Sequence, residues 1–178
     1  PVKIAFDTNF RPALWHGREA QAAEILRQLS CQADLLFAGR RATAMMLGGD
    51  YGIGDPDRGF HEAAEAMFAA APGLQHMAAT RRVIHSSDRQ DITALIADRD
   101  GMSASDNIAL EHIVDRVGTG DAFAAGVLHG LMSGRSRAET VRFAAACSSW
   151  AHSVPGDFMR ASLADIEHLA SGSRDVRR

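Results

Sequence analysis

Residues able to do chemistry concentrate in one short stretch, Asp115-Arg116-Val117-Gly118-Thr119-Gly120-Asp121-Ala122-Phe123, with Gly126 beyond it. The apolar pair Ile113-Val114 reads as a strand end running into a tight glycine loop, and the loop opens a helix. A helix start leaves backbone N–H groups without acceptors at the positive end of the helix dipole, which suits an anion such as a phosphate. Asp121 stands beside that cradle. A carboxylate there repels a bound phosphate, but it is well placed to take a proton from a hydroxyl that attacks one. A plainer reading also fits the four residues: Thr119 as a helix cap, with Asp121 favourable to the dipole.

The elements that must position this loop alternate between strand and helix patterns, which implies a parallel sheet between helices. Residues 2–6 form an apolar strand of buried type. It ends in the polar cluster Asp7-Thr8-Asn9-Phe10-Arg11-Pro12, at the carboxyl edge where open α/β sheets gather ligand groups. A helix is expected over 18–29, with Ala22, Ile25, Leu26 and Leu29 as its apolar stripe. A strand follows at 34–37, a helix at 41–47 stopped by Gly48-Gly49, a solvated turn-rich loop at 50–59, and a helix at 59–70 closed by Pro72-Gly73. Strands are expected at 76–80 and 92–98, separated by a polar loop over 81–91, with a turn at Asp100-Gly101. The segment 107–114 contains the strand that leads to the glycine loop. Helices are expected at 119–132, 136–152 and 162–170. In the first of these, Gly126 and Gly130 permit close approach to the sheet. In the last, Ser162 and Asp165 form a variant capping box. Residues 171–178 read as a disordered tail.

Bulk properties narrow the function. The chain has 178 residues, 46% hydrophobic and 23% charged, with a net charge of −3 and no basic tract, so no nucleic-acid partner is expected. No apolar run approaches a membrane span and no leader pattern is present, so no membrane partner and a cytoplasmic location are expected. The two cysteines, Cys31 and Cys147, have no metal-ligand spacing and read as reduced core thiols. Because a parallel strand of buried type needs sheet neighbours and helices on both faces, a strand at residue 2 predicts that the chain starts inside a larger domain. Gly118 and Gly120 lack the third glycine of a dinucleotide-binding fingerprint, which disfavours an oxidoreductase.

The stretch from Asp115 to Gly126 resembles the C-terminal signature of the ribokinase-like (PfkB) sugar kinases, Asp-Thr-x-Gly-Ala-Gly-Asp-x-Phe-x-x-Gly. Both aspartates, both loop glycines, the phenylalanine and the later glycine are in register. Asp7-Thr8-Asn9-Phe10-Arg11-Pro12-Ala13-Leu14-Trp15 is similar to a second family pattern, Asp-x-Asn-x-Arg-x-x-Leu-Trp. The wording of both, with His152-Ser153-Val154-Pro155-Gly156-Asp157-Phe158, is most similar to 2-keto-3-deoxygluconate kinases.

The resemblance implies a three-layer α/β/α sandwich with a mainly parallel sheet. Residues 1–170 would form the C-terminal portion of the kinase domain, with the N-terminal part and a lid absent. It implies ATP-dependent phosphorylation of a sugar or sugar acid, in particular 2-keto-3-deoxygluconate to its 6-phosphate, with Mg2+ and a monovalent cation such as K+ as cofactors. ATP and the sugar acid would be the partners, and a homo-oligomer is compatible with the family.

Residue by residue, Asp121 matches the catalytic base, and Gly118, Thr119 and Gly120 match the anion hole. Asp115 matches the loop that helps hold a monovalent cation. Asn9, Arg11 and Asp157 match acceptor-binding positions, a guanidinium suiting carboxylate and phosphate alike. Structural readings stand beside these, with Arg11 as a surface ion-pair residue and Asp157 as a turn residue after Pro155-Gly156.

Two departures are visible. Ala38-Gly39-Arg40-Arg41-Ala42-Thr43 replaces the family's Asn/Ser-x-x-Glu pattern, which puts magnesium handling by that loop in doubt. The usual Lys-x-Gly-x-x-Gly nucleotide loop gives way to Thr80-Arg81-Arg82-Val83, where Arg82 either meets the nucleotide phosphates or lies in a solvated loop.

Overall fold

A computed structural model of the chain describes residues 2–52 and 54–172. Thirteen elements follow in order, six strands, six α-helices and one 3-10 turn. The strands form a six-stranded mixed sheet in the order β1-β2-β3-β4-β5, with β6 also paired to β4. Of the described residues, 2–52 and 54–79 with 95–102 make one compact unit, and 80–94 with 103–172 make a second.

In the first unit, β1 (Ala5–Asp7), β2 (Leu35–Phe37) and the start of β3 (His76–Ile84) run parallel. The register sets Phe6 beside Leu36 and Leu36 beside Met77. The expected strand at 2–6 is shorter and more exposed than its apolar sequence implies: Val2 is 91% exposed and Ile4 48%. β2 is buried throughout.

Around these strands pack α1 (Glu19–Ser30), α2 (Arg40–Leu47) and α3 (Pro56–Ala70). Leu26, Met46, Phe60, Met67, Leu36, Met77 and Leu95 share one core. Full burial of a side chain such as Phe60 or Leu36 contributes roughly 1.5–3 kcal/mol.

α3 starts three residues earlier than the helix expected at 59–70. Asp55 caps it by accepting from the N–H groups of Asp57 and Arg58, and Pro56 supplies a first-turn residue that needs no acceptor. The solvated loop therefore ends sooner than expected. At the other end of α3, the Arg99 guanidinium donates to the carbonyls of Phe68, Ala71, Pro72 and Leu74.

The second unit holds the end of β3, the start of β4 (Gln90–Asp98), the end of β5 (Gly101–Ala104), β6 (Ile108–Leu110), and helices α4 (Thr119–Met132), α5 (Arg137–Ala151) and α6 (Leu163–Ala170). The polar loop expected over 81–91 shrinks to 85–89. Arg81 and Arg82 continue β3, where Arg81 donates to Thr93 of β4, and Gln90 and Asp91 already belong to β4. β5 lies outside the expected strands. β6 pairs antiparallel with β4 and ends at Leu110, so Ile113 and Val114 are irregular instead of a strand end. Their N–H groups bond instead to the carbonyls of Asp88 and His152.

Gly126 and Gly130 face α5, not the sheet. A Cβ on Gly126 would meet the Ala144 Cα at 2.7 Å, and one on Gly130 would meet Thr140 Oγ1 at 2.7 Å. Phe143, Cys147 and Ile166 continue this packing between α4, α5 and α6. Capping boxes close α5 (Ser136 with Glu139) and α6 (Ser162 with Asp165), the second as expected. Residues 171–172 form a turn, and the rest of the expected tail lies outside the described residues. Among the described residues no helix is long and apolar enough to cross a membrane.

Candidate functional site

The glycine loop is built by backbone geometry. Gly118 caps α4 in the left-handed conformation, φ +71° and ψ −4°, and offers no capping side chain. Thr119, expected as a cap, is instead the first helical residue. It is buried, and its hydroxyl donates to the Arg116 carbonyl at 3.1 Å.

Among the described residues, the backbone ladder of α4 opens with the Ala122 N–H donating to the Gly118 carbonyl at 2.8 Å. The N–H groups of Thr119, Gly120 and Asp121 therefore point out of the helix end without intrahelical acceptors. Nothing lies within 4 Å of a Cβ built on Gly120, so the space before these donors is open.

Asp121 is the third helical residue of α4, the position that Glu139 and Asp165 occupy in α5 and α6. Those two carboxylates turn back to bond a serine N-cap. Gly118 offers no hydroxyl, and Asp121 does not turn back to it; it is exposed and makes no hydrogen bond among the described residues. The result is a free carboxylate next to three free N–H donors. Such an arrangement can hold an anion, spread developing charge over fixed dipoles, and accept a proton from a neighbouring hydroxyl.

Asp115 braces this loop. Its Oδ1 accepts from the N–H groups of Arg116 (2.6 Å) and Val117 (3.0 Å), and its Oδ2 from Gly156 (2.9 Å). Bonds from Val117, Gly156 and Arg116, in that order of weight, hold its carboxyl below the ordinary carboxylate range. The 155–157 turn is thereby tied to the loop, and the Asp157 backbone packs directly over Gly118. The Asp157 side chain is exposed and makes no hydrogen bond among the described residues. Both of its readings, acceptor contact and turn residue, are compatible with that placement.

Positive charge comes from Arg82 and Arg116. Arg116 donates to the carbonyls of Ser86 (3.2 Å) and Ser87 (2.9 Å), which fixes the 85–89 turn against the loop. Arg82 sits on the strand end of β3 with no ion-pair partner among the described residues. Loss of water around its guanidinium, and then repulsion from Arg116, pull its pKa down. Two guanidiniums close enough to repel favour an anion beside them.

The structure thus brings Gly118, Thr119, Gly120, Asp121, Asp115, Asp157 and Arg82 together in the second unit. Asn9 and Arg11 belong to the first. There Asn9 takes φ +33°, its N–H bonded to Asp7 Oδ1 at 2.9 Å, and the turn projects into a 3-10 helix at Pro12–Leu14. Arg11 is exposed and unpaired, so the ion-pair reading finds no partner among the described residues. Arg116 and His152 were missed as contributors, although Arg116 stands inside the glycine motif and His152 opens the segment that ends at Phe158. No three of the described His, Cys, Asp and Glu residues are grouped to hold a metal.

Comparison with known proteins identifies the family. The pfkB family carbohydrate kinases match residues 2–158. A PfkB family carbohydrate kinase from Listeria grayi is 30% identical with a TM-score of 0.86, across 96% of this chain and 50% of that one. The 2-dehydro-3-deoxygluconokinase of Thermotoga maritima is also 30% identical, with a TM-score of 0.87 and the same coverage. An E. coli protein provisionally described as ribokinase II, solved with ATP and Mg2+, shares the fold at 16% identity and a TM-score of 0.65, over 96% of this chain and 49% of that one. The chain spans about half the length of these solved structures. None of the curated proteins matches it. With the family matching over most of its length, and with solved relatives 30% identical sharing its fold, the chain belongs to the PfkB family of carbohydrate kinases.

Proposed function

We propose that the protein containing this chain transfers the γ-phosphoryl group of ATP to a hydroxyl of a small sugar acid, in particular 2-keto-3-deoxygluconate, forming its 6-phosphate. The observation that carries this reading is the unpartnered Asp121 carboxylate beside the free N–H groups of α4. Asp121 takes the proton of the acceptor hydroxyl, whose oxygen forms the new bond to the γ-phosphorus while the bond to the bridging β-γ oxygen breaks and ADP leaves. The N–H groups of Thr119, Gly120 and Asp121 stabilise the charge on the transferred group, and the helix dipole adds to them.

Arg82, with Arg116 beside it, supplies positive charge for the nucleotide phosphates. Arg11 and Asn9 bind the acid and hydroxyls of the acceptor, and Asp157 a further hydroxyl. The likeness to the Thermotoga maritima enzyme supports the acceptor class. The described residues form no protein cage for Mg2+, so no step is assigned to a protein-held metal; Mg2+ would arrive on the ATP phosphates, as its preference for phosphate oxygens favours. A monovalent cation at Asp115 would compete with three backbone donors, and comparing rates in K+ and in a bulky organic cation tests it. A cytoplasmic location accords with ATP as donor.

ADP release, measured on the full-length protein with a panel of sugars and sugar acids, tests the reading. Turnover with 2-keto-3-deoxygluconate that disappears in Asp121→Asn supports it; turnover with none of the panel, or unaltered rates in Asp121→Asn, overturns it. Preference for ribose or fructose would keep the chemistry and change the acceptor. A second reading follows from the half-length coverage: the 178 residues alone bind nucleotide without turning over. Normal turnover by this stretch alone would exclude it.

A further inference from the structure

Phosphoryl transfer as proposed uses none of the side chains that tie the glycine loop to the interior. Those ties converge on His152, which ends α5. Its carbonyl accepts from the N–H of Val114 at 2.9 Å and from that of Asp115 at 3.5 Å, the two residues that enter the loop. Its ring is buried, 2% exposed, between two partners. Nδ1 lies 2.7 Å from the Ser148 carbonyl, and Nε2 lies 2.6 Å from Gln90 Nε2 on β4, itself 1% exposed. The Ser148 carbonyl only accepts, so Nδ1 carries a proton. Burial, the largest effect on the ring, pulls its pKa down and favours the neutral form, with Nε2 accepting from Gln90. Ser148, one turn earlier, donates its hydroxyl to the Thr119 carbonyl at 3.1 Å.

A continuous buried chain of polar groups therefore runs from Gln90 through His152 and Ser148 to the first residue of α4. A second branch runs from the His152 carbonyl to the entry of the loop. Burying a histidine and a glutamine costs more than burying leucines unless every donor and acceptor is matched. Here both ring nitrogens of His152 and the amide nitrogen of Gln90 have partners, and a paired buried network favours a single geometry. Apolar packing alone tolerates small slips between helices, and a slip of α4 along α5 would re-aim the Thr119, Gly120 and Asp121 donors together.

We infer that His152 is a positioning residue: held by Gln90, it locks the C-terminal end of α5 to both sides of the glycine loop, and so sets the aim of the Asp121 carboxylate and the free N–H groups. The kinetic part of this inference rests on the phosphoryl-transfer reading; the geometric part does not.

The test uses the full-length protein with His152→Leu, His152→Asn and Gln90→Leu. Asparagine restores a donor near the place of Nδ1–H and leucine does not. In His152→Leu, kcat is expected to fall about tenfold to a hundredfold, as misaim of reacting groups by an ångström does, with KM for ATP and acceptor within about threefold. His152→Asn should recover part of the loss. The amide signals of Gly118 and Gly120 in 1H–15N spectra should move in His152→Leu and Gln90→Leu. A folded His152→Leu with unchanged kcat, or with these signals unmoved, overturns the inference. If His152→Leu does not fold, Gln90→Leu decides by the same readouts, since it leaves the histidine and its backbone bonds in place. A wild-type protein without turnover on any sugar would defeat the phosphoryl-transfer reading, and the amide signals would still decide this one.

Discussion

Gly118 and Asp157 touch backbone to backbone: a Cβ on Gly118 would lie 2.8 Å from the Asp157 carbonyl oxygen. Gly120, two residues on, has nothing within 4 Å of the same atom. The two loop glycines are therefore glycine for different reasons. Gly118→Ala must leave φ +71° or strain there, at about 1–2 kcal/mol, and must also displace the 155–157 turn. Its melting temperature is expected to drop, and activity with it. Gly120→Ala should melt at or above the wild-type temperature, because alanine is the better helix former by up to about 1 kcal/mol. Its methyl group would nevertheless occupy the space before the free N–H groups, so kcat/KM for ATP should fall. Thermal melts and steady-state kinetics on the two variants separate the roles.

Asp121→Asn keeps size and shape and removes the ability to take a proton. kcat is expected to fall by about 10²–10⁴-fold, the range for loss of a general base, with KM for the acceptor little altered. Because the carboxylate makes no hydrogen bond among the described residues, the melting temperature should hardly move. Initial rates and a thermal melt check both halves.

The α4–α5 seam offers a stability prediction of each sign. Thr140 Oγ1 is buried without a hydrogen-bond partner among the described residues. Thr140→Val removes that hydroxyl at nearly constant shape and should stabilise by about 1 kcal/mol. Gly126→Ala places its new methyl 2.7 Å from the Ala144 Cα, a backbone atom that cannot step aside. It should destabilise by about 1–3 kcal/mol. Urea unfolding of the two variants measures both.

Cys147 carries a pH prediction. Burial pushes its thiol up to about 11 from the ordinary 9.0. A folded pKa above the unfolded one contributes stability that is fully present below pH 9.0 and is lost as the pH rises toward 11. Between those limits the wild type should lose more stability than Cys147→Ala. At neutral pH a thiol reagent should label Cys31, which is only part-buried, and reach Cys147 only after unfolding. Counting labelled thiols before and after denaturant checks it.

Much of the scaffold was legible because it follows local rules. The stripe Ala22, Ile25, Leu26, Leu29 gave α1 to within a residue at each end, and Ser162 with Asp165 gave the start of α6. Asp121 and Gly118 were readable because motif, dipole and turn chemistry coincide there. What was not legible depends on partners distant in sequence. Arg81 and Arg82 look like loop residues until Thr93 supplies a neighbouring strand. Ile113-Val114 reads as a strand until the His152 carbonyl takes the Val114 N–H. Gly126 and Gly130 announce a close approach without saying to what, and α5 turned out to be the neighbour. His152 and Gln90, 62 residues apart, meet only in the folded chain, and no spacing rule connects them.

Where α5 and α6 are sealed by their own serine and acid, α4 has no capping side chain. The cap that α4 lacks is one a ligand can provide, so its folding equilibrium and its binding equilibrium share a term. An anion that seats on the Thr119 and Gly120 N–H groups does for α4 what Ser136 does for α5. The protein should then resist heat in proportion to the logarithm of ATP concentration once that exceeds Kd, and the gain should shrink in Gly120→Ala. A site left open in this way makes the nucleotide the last residue of the fold.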